Sequence, residues 1–162
     1  MRSIVVGIAD LQISADPDTV LVTYALGSCI AITAYEPHLK VGGMLHYLLP
    51  DAAVNEEKAR IRPAMFGNTG IPLLLGRMYR LGCKKEDLIV TVAGGGQICN
   101  VAGVFGIGKR NYQMGCYLLS KDGIMVRGED VGGRFSRSVY LELATGRVVV
   151  KTRGREVELC SP

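Results

Sequence analysis

Short apolar runs rich in β-branched residues recur along this chain, and residues that favour turns separate one run from the next. Residues 20–24 and 30–35 predict two strands that are joined by a tight turn across 26–28. Residues 40–49 predict a third strand, which follows a turn at Glu36 and Pro37. This pattern, in a chain with 21 glycines, predicts a loop-rich fold built on β-strands.

The rest of the chain adds strands and a few helices. Further strands are predicted at residues 1–10, 88–93, 124–127, 138–143 and 147–152, the last two as a hairpin. Helices are predicted at residues 55–64, 69–81 and 109–120, the first of them short. Pro72 is expected in the first turn of the second helix, and Gly82 just past its end. Roughly seven to nine strands with two or three helices predict an α+β fold of packed layers. The length of 162 residues predicts a single domain that spans 1–162.

The charge of the chain is mild and evenly spread. Its 19 Lys and Arg residues only slightly outnumber its 15 Asp and Glu residues, and the basic residues are scattered along the chain. A nucleic-acid-binding protein usually clusters Lys and Arg on one face and adds aromatic side chains for stacking. We therefore expect no nucleic acid among the partners of this protein.

The cysteines and the hydropathy pattern indicate the compartment. Five cysteines without a Cys-x-x-Cys pair exclude a framework in which every cysteine is disulfide-bonded, and their spacing differs from that of a zinc knuckle. No apolar run approaches the length of a membrane span. The apolar N-terminal run is broken by Asp10 and is too short for a signal peptide. We therefore expect a cytoplasmic protein with reduced thiols, no metal site and no membrane insertion.

Cys29 is the candidate nucleophile. It follows Gly27 and Ser28 at the start of a predicted strand, where small residues let a substrate approach the backbone. A nucleophilic thiol must be accessible, deprotonated and close to a base, so we expect Cys29 to be exposed. The backbone N–H groups around Gly27 and Ser28 are candidates for substrate binding as an oxyanion hole. The other cysteines are expected to be inert: Cys83, Cys99, Cys116 and Cys160.

His46 is the candidate base, since the chain contains only two histidines. His38 lies in a predicted surface turn, whereas His46 interrupts an otherwise apolar strand. If the strands at 30–35 and 41–49 pair through the turn near His38, the chain brings His46 back towards the Cys29 end. The sequence therefore predicts that Cys29 and His46 lie close together.

Three features allow a purely structural explanation beside the functional one. Thr23 is a candidate for orienting His46 through its hydroxyl, although threonine is common in strands. A buried cysteine is usually a small apolar residue, and a histidine in a strand is usually a hydrogen-bonded core residue. The glycines at 94–96 lack the Gly-Lys-Ser/Thr of a phosphate-binding loop and are expected to form a tight strand exit.

Two segments together resemble the signature of the chemoreceptor glutamine deamidase family, CheD. They are Val-Thr-Tyr-Ala-Leu-Gly-Ser-Cys-Ile at residues 22–30 and Gly-Met-Leu-His-Tyr-Leu-Leu-Pro at residues 43–50. Supporting similarities follow in the order of the family at residues 94–96, 107–111, 130–133 and 146–151. The resemblance covers nearly the whole chain.

The resemblance implies an amidohydrolase that converts glutamine side chains of chemotaxis receptors to glutamate through a cysteine thioester. By matching positions, Cys29 is the nucleophile, His46 the base and acid, and Thr23 the third catalytic residue, and no metal or organic cofactor takes part. The implied fold is similar to that of a bacterial toxin deamidase, in which packed β-sheets form a sandwich-like core with helices outside. The implied partners are the cytoplasmic domains of chemoreceptors and a CheC-type phosphatase.

Other activities remain open from the residues alone. One alternative is a regulator of the same fold that binds a receptor or a CheC-type phosphatase without catalysis. The intact set of Thr23, Cys29 and His46 argues against this alternative. The same dyad is also able to hydrolyse an ester, as a receptor methylesterase does. A redox-active domain is disfavoured because no second cysteine lies near Cys29 in the sequence.

Overall fold

The computed structural model describes residues 1–97 and 106–162 of the chain. Its strands are β1 (Arg2–Val5), β2 (Asp10–Ser14), β3 (Thr19–Leu26), β4 (Ile30–Glu36), β5 (Val41–Tyr47), β6 (Ile89–Gly94), β7 (Val126–Val131), β8 (Arg137–Glu142), β9 (Val148–Thr152) and β10 (Arg155–Cys160). Its α-helices are α1 (Glu56–Ile61), α2 (Gly67–Arg80) and α3 (Ile107–Lys121). No helix in these two described ranges has both the length and the apolar character needed to cross a membrane.

The strands form two mixed five-stranded sheets. The first sheet has the order β1-β3-β8-β9-β10, and the second has the order β2-β5-β4-β6-β7. Most neighbours are antiparallel, but β1 pairs with β3 and β6 with β7 in parallel. An α+β fold of packed layers was predicted from the sequence, and the structure confirms it.

Two apolar clusters define the layers. The first lies between the sheets and joins Leu21 of β3, Ala31 of β4, Met44 of β5 and Val139 of β8. The second lies on the other face of the second sheet, where Leu45 of β5 and its neighbours pack against α2 and α3. Because side chains alternate along a strand, β4 and β5 contribute to both clusters and are buried along their whole length.

Gly43 shows how closely α2 packs on the sheet. A Cβ atom at this position would lie 2.7 Å from Leu74 Cδ1 of α2 and 3.1 Å from Ile13 Cγ1 of β2. A side chain here would force the side chains of α2 and β2 that contact it to shift. Glycine at position 43 therefore leaves room for α2 to pack closely on the strand that carries His46.

The structure confirms two predicted hairpins. The strands predicted at 30–35 and 40–49 do form an antiparallel hairpin, β4 and β5, and those at 138–143 and 147–152 form β8 and β9. The strands predicted at 20–24 and 30–35 are β3 and β4, and the short connection predicted between them is present, but the two strands belong to different sheets. β3 pairs with β1 and β8 in one sheet and β4 with β5 and β6 in the other, since Gly27 and Ser28 carry the chain across the gap between sheets.

The helix predictions hold with shifted ends. α1 is short as expected, and Gly82 follows α2 with a φ of 94°. Pro72 lies inside α2 rather than in its first turn, because the helix begins at Gly67. The sequence did not predict β2 or β10 as separate strands. Cys99, one of the cysteines expected to be inert, lies outside the described residues.

Candidate active site

Thr23 and His46 meet across the two sheets. Thr23 lies on β3 of the first sheet and His46 on β5 of the second, and both are almost completely buried. The Thr23 Oγ1 atom lies 2.8 Å from His46 Nδ1 and 2.6 Å from the carbonyl oxygen of Val6. The structure therefore brings together two of the three residues that the sequence predicted.

The two contacts of the Thr23 hydroxyl define the tautomer of His46. A carbonyl oxygen only accepts, so the hydroxyl donates its single proton to Val6. The hydroxyl must then accept from His46, which places a proton on Nδ1. In the neutral ring the Nε2 atom keeps a free lone pair. Nε2 is buried and has no hydrogen-bond partner among the described residues. Its lone pair therefore accepts no hydrogen bond from them in the resting protein.

Cys29 lies on the same face of the second sheet as His46. The β4 and β5 ladder places Ala31 directly opposite His46, and Cys29 precedes Ala31 by two residues. Cys29 and Ala31 both belong to the cluster between the sheets. The positions of Cys29 and His46 are therefore diagonal neighbours on one face, a separation that an aromatic side chain spans.

The resting state of Cys29 differs from the predicted one. Its side chain is buried, with 8% of its surface exposed, so the expectation of an exposed thiol is wrong. Because His46 Nε2 has no partner in the described part of the chain, no hydrogen bond links it to the Cys29 thiol. Burial raises the pKa of the Cys29 thiol to about 11, and hydrogen bonding from its own backbone N–H partly opposes the rise. The thiol is therefore protonated at neutral pH.

His46 is also neutral in the resting protein. Burial lowers the pKa of its imidazole to about 4, and the negative charge of Asp10, which lies opposite it on β2, partly opposes the fall. A thiol with a high pKa beside an imidazole with a low pKa does not form a preformed thiolate and imidazolium pair. Both groups are therefore uncharged in the resting protein.

The carbonyl groups of the segment before β4, residues 27–29, accept hydrogen bonds from other parts of the chain. The carbonyl oxygens of Gly27 and Cys29 accept hydrogen bonds of 2.8 Å from the N–H groups of Gly96 and Gly95. All described peptide bonds are trans, so each N–H points away from the carbonyl of the same peptide unit. Among the described residues, neither the Ser28 N–H nor the Cys29 N–H donates to a backbone carbonyl. These two donors make the segment a candidate oxyanion hole.

The glycines at 94–96 make this close contact possible. A Cβ atom on Gly94 would lie 2.2 Å from the Cys29 carbonyl oxygen, and the φ of Gly94 is 109°. Only glycine fits a backbone that adopts this conformation so near another chain segment. The prediction of a tight strand exit is confirmed, and the exit supports the segment that carries Cys29.

A cavity of about 560 Å³ opens beside this segment. Its described lining includes Ser28, the glycines at 95–96 and 132–133, and the basic residues Lys109 and Arg134. Ligand sites in proteins commonly have this size. Ser28 is half-buried and lines the cavity, whereas the buried Cys29 and His46 side chains are not part of its described lining.

Comparison with known proteins identifies the family of the chain. The family model described as CheD chemotactic sensory transduction matches residues 48–152. A protein of Syntrophus aciditrophicus, named probable chemoreceptor glutamine deamidase CheD 1, is 46% identical over 154 residues, which are 95% of this chain and 96% of that protein. The chain belongs to the CheD family. A CheD relative from Anaeromyxobacter dehalogenans is 48% identical over 152 residues, 94% of this chain and 96% of the relative. Another, from Pyrococcus horikoshii, is 38% identical over 162 residues, 98% of each chain.

The two kinds of CheD comparison cover different parts of the site. The family model begins at residue 48, so Thr23, Cys29 and His46 precede its matched range. The relatives align over nearly the full chain and therefore include this region. Within residues 1–97 and 106–162, no group of three or more His, Cys, Asp and Glu side chains is arranged to hold a metal ion.

The structure adds two buried polar residues that the sequence analysis did not single out for a role. Asn111 of α3 donates to the carbonyl oxygens of Ser28 and Leu48. Arg137 of β8 donates to the carbonyl oxygen of Gly132 at 2.6 Å and lies 3.3 Å from the Asp130 carboxylate. Both hold backbone beside the cavity. Asn111 lies in the segment 107–111 that resembles the family, but no local sequence signal predicts the contacts of either residue, because their partners are mostly backbone groups that the fold brings close.

Proposed function

We propose that this protein is a chemoreceptor glutamine deamidase in which Cys29 attacks, His46 transfers protons and Thr23 orients His46. The observation that carries the proposal is the 2.8 Å contact between Thr23 Oγ1 and His46 Nδ1, which leaves Nε2 free on the face that Cys29 occupies. Membership of the CheD family supports the substrate, since CheD relatives are named chemoreceptor glutamine deamidases.

The first half of the reaction forms a thioester. The Cys29 sulfur attacks the side-chain carbonyl carbon of glutamine as His46 Nε2 takes the thiol proton. The electron pair of the C=O bond moves to oxygen, where the N–H groups of Ser28 and Cys29 donate to it. When the C=O bond re-forms, the C–N bond breaks and His46 gives its proton to the departing ammonia.

The second half uses the same groups with water. His46 Nε2 takes a proton from water as the water oxygen attacks the thioester carbon. The C–S bond then breaks, the sulfur recovers its proton from His46, and glutamate is released. The proton on Nδ1 stays in place throughout, because Thr23 holds it and Val6 holds the hydroxyl.

The setting of the reaction follows from the proposed substrate. The protein acts in the cytoplasm on the cytoplasmic domains of chemoreceptors. A CheC-type phosphatase is a further partner predicted by the family resemblance. Lys109 and Arg134 in the cavity wall favour a substrate segment that carries negative charge near the target glutamine.

The test is mass spectrometry of a purified chemoreceptor cytoplasmic fragment after incubation with this protein. We expect a mass increase equal to replacement of an amide by a carboxylate, located to particular glutamines by peptide mapping. We expect Cys29→Ala to abolish the increase, because the thioester cannot form. The matched control is Cys83→Ala, which removes another buried thiol from the helix side of the second sheet and should leave activity in place.

The possible results separate the rival activities. Deamidation by the native chain and by Cys83→Ala, but not by Cys29→Ala, supports the proposal. Loss of methyl groups from a methylated receptor fragment, without loss of amides, supports the methylesterase instead. Binding of the fragment without any mass change supports a regulator that does not catalyse.

A further inference from the structure

Asn111 is a buried side chain that ties together the two strand ends of the site. It lies in the second turn of α3 and is 0% exposed. Its amide nitrogen donates to the carbonyl oxygen of Ser28 at 2.9 Å and to that of Leu48 at 3.0 Å. Ser28 lies just before β4 and Leu48 just after β5. Both protons of one amide group therefore hold the ends of the strands that carry Cys29 and His46.

The bond to Ser28 also sets the direction of the adjacent N–H. The Ser28 carbonyl and the Cys29 N–H belong to one trans peptide unit and point in opposite directions. Asn111 holds the carbonyl, so it aims the Cys29 N–H away from α3. The neighbouring carbonyls of Gly27 and Cys29 are held by backbone groups. Of these three carbonyls, Ser28 alone is held by a side chain that a substitution can remove.

We propose that Asn111 is a positioning residue that holds the Cys29 N–H ready to stabilise the oxyanion formed when the thiol attacks a carbonyl carbon. The proposal rests on the proposed function only in requiring that Cys29 reacts through a tetrahedral intermediate. It adds a group that touches neither the substrate nor the sulfur in the reaction. Asn111 acts through the Ser28–Cys29 peptide.

The unpaired oxygen of Asn111 argues for this role. Its Oδ1 atom is buried and has no hydrogen-bond partner in the described part of the chain. A buried acceptor without a donor lowers stability, and such groups are rare in proteins. All the hydrogen bonds of the Asn111 side chain within the described residues are thus the two that it donates to the strand ends at the site.

The test compares two reactions of Cys29 that differ in one requirement. With p-nitrophenyl acetate the sulfur bonds to the carbonyl carbon, p-nitrophenolate leaves, and an oxyanion forms in between. With iodoacetamide the sulfur displaces iodide from a saturated carbon, and no oxyanion forms. Both reactions need the thiolate, so the ratio of acetylation to alkylation reports the oxyanion hole alone. Peptide mapping assigns each reaction to Cys29.

In Asn111→Ala we expect acetylation of Cys29 to fall about a hundredfold, while alkylation stays within about threefold of the native rate. A merely structural role would disturb the thiol itself and lower both rates together. Asn111→Asp has the same shape and carries the test if Asn111→Ala does not fold. Its carboxyl donates only when protonated, so the ratio should recover in part as the pH is lowered.

The matched control is Asn68→Ala. Asn68 also ties down a loop, since its Nδ2 donates to Asp51 at 2.9 Å and its Oδ1 accepts from the Ala52 N–H at 2.8 Å. We expect this variant to leave the ratio unchanged. An unchanged ratio in both Asn111 variants would overturn the proposal, as would a parallel fall in both rates or loss of folding in both.

The proposed function and the role of Asn111 fail separately. If the native protein deamidates no receptor glutamine, the substrate assignment is wrong. The ratio of acetylation to alkylation still measures the oxyanion hole in that case. If the native protein deamidates receptors and Asn111→Ala keeps the native ratio, the role of Asn111 is wrong and the proposed function stands.

Discussion

The Thr23 hydroxyl has one proton to give, and that proton is committed to Val6. His46 therefore keeps the proton on Nδ1 and presents the lone pair of Nε2 to the face shared with Cys29. Without the hydroxyl the ring is free to take the other tautomer, in which Nε2 carries the proton and cannot act as a base. In the proposed mechanism, the basicity of Nε2 therefore depends on one oxygen atom.

Exchange of Thr23 for valine tests this dependence, because valine keeps the shape and removes the oxygen. We expect Thr23→Val to lower kcat for deamidation about a hundredfold. Thr23→Ser keeps the hydroxyl and should retain most of the activity. Steady-state kinetics on a receptor fragment measures both, with thermal unfolding as the check on folding. Equal losses in the two variants would show that the hydroxyl is not the cause.

The strand that carries Thr23 contains an extra residue. Thr23 pairs with Val139 and Leu26 with Arg137, so β3 has one residue more than β8 over this stretch. Ala25 adopts a φ of 55°, and Tyr24 and Ala25 turn outwards while Thr23 and Leu26 are both buried. The bulge therefore lets Thr23 and Leu26, which are three residues apart in the sequence, face the same interior, where strict alternation would place them on opposite faces.

We expect Ala25→Val to lower the free energy of unfolding by about 1–2 kcal/mol, because a β-branched residue resists a positive φ. The position is exposed, so no loss of apolar burial contributes. Ala15→Val is the control, since Ala15 is exposed and its φ is not positive. Urea denaturation compares both with the native chain. A loss in Ala15→Val equal to that in Ala25→Val would show that backbone conformation is not responsible.

Local patterns in the sequence predicted elements that depend on neighbouring residues. The hairpin of β4 and β5 was predictable because a short turn joins two apolar runs, and that pairing placed His46 near the Cys29 end. The pairing of β3 with β8 was not, since more than a hundred residues separate Thr23 from Val139. The role of Asn111 likewise depends on carbonyls that are distant in the sequence, at Ser28 and Leu48.

The candidate site exists only when the two sheets are packed together. Thr23 belongs to one sheet, Cys29 and His46 line the other, and residues such as Leu21 and Met44 fill the space between them. Packing also removes water from the Cys29 thiol and the His46 imidazole, which keeps the thiol protonated and the imidazole neutral. The same burial that assembles the site therefore links the stability of the whole molecule to pH.

At acidic pH the dependence of stability on pH arises from His46. Its pKa falls from 6.5 when unfolded to about 4 when folded, so the unfolded chain binds a proton over this range that the folded chain does not. The contribution of His46 to the free energy of unfolding is therefore fully present above pH 6.5. It is lost as the pH falls towards 4, by up to about 3 kcal/mol. On the alkaline side the raised pKa of Cys29 acts in the opposite sense, but several tyrosines and cysteines share that range.

Urea denaturation between pH 7 and pH 4.5 tests the acid side, where we expect His46→Gln to reduce the slope of unfolding free energy against pH. The amide at position 46 binds no proton in this pH range. The pH-dependent contribution of His46 to the free energy of unfolding is therefore absent from this variant, whatever its stability at pH 7. His38→Gln is the matched control, because His38 is exposed in the turn between β4 and β5 and should leave the slope unchanged. Parallel curves for the native chain and His46→Gln would mean that His46 takes up its proton equally in both states, and that water reaches the space between the sheets.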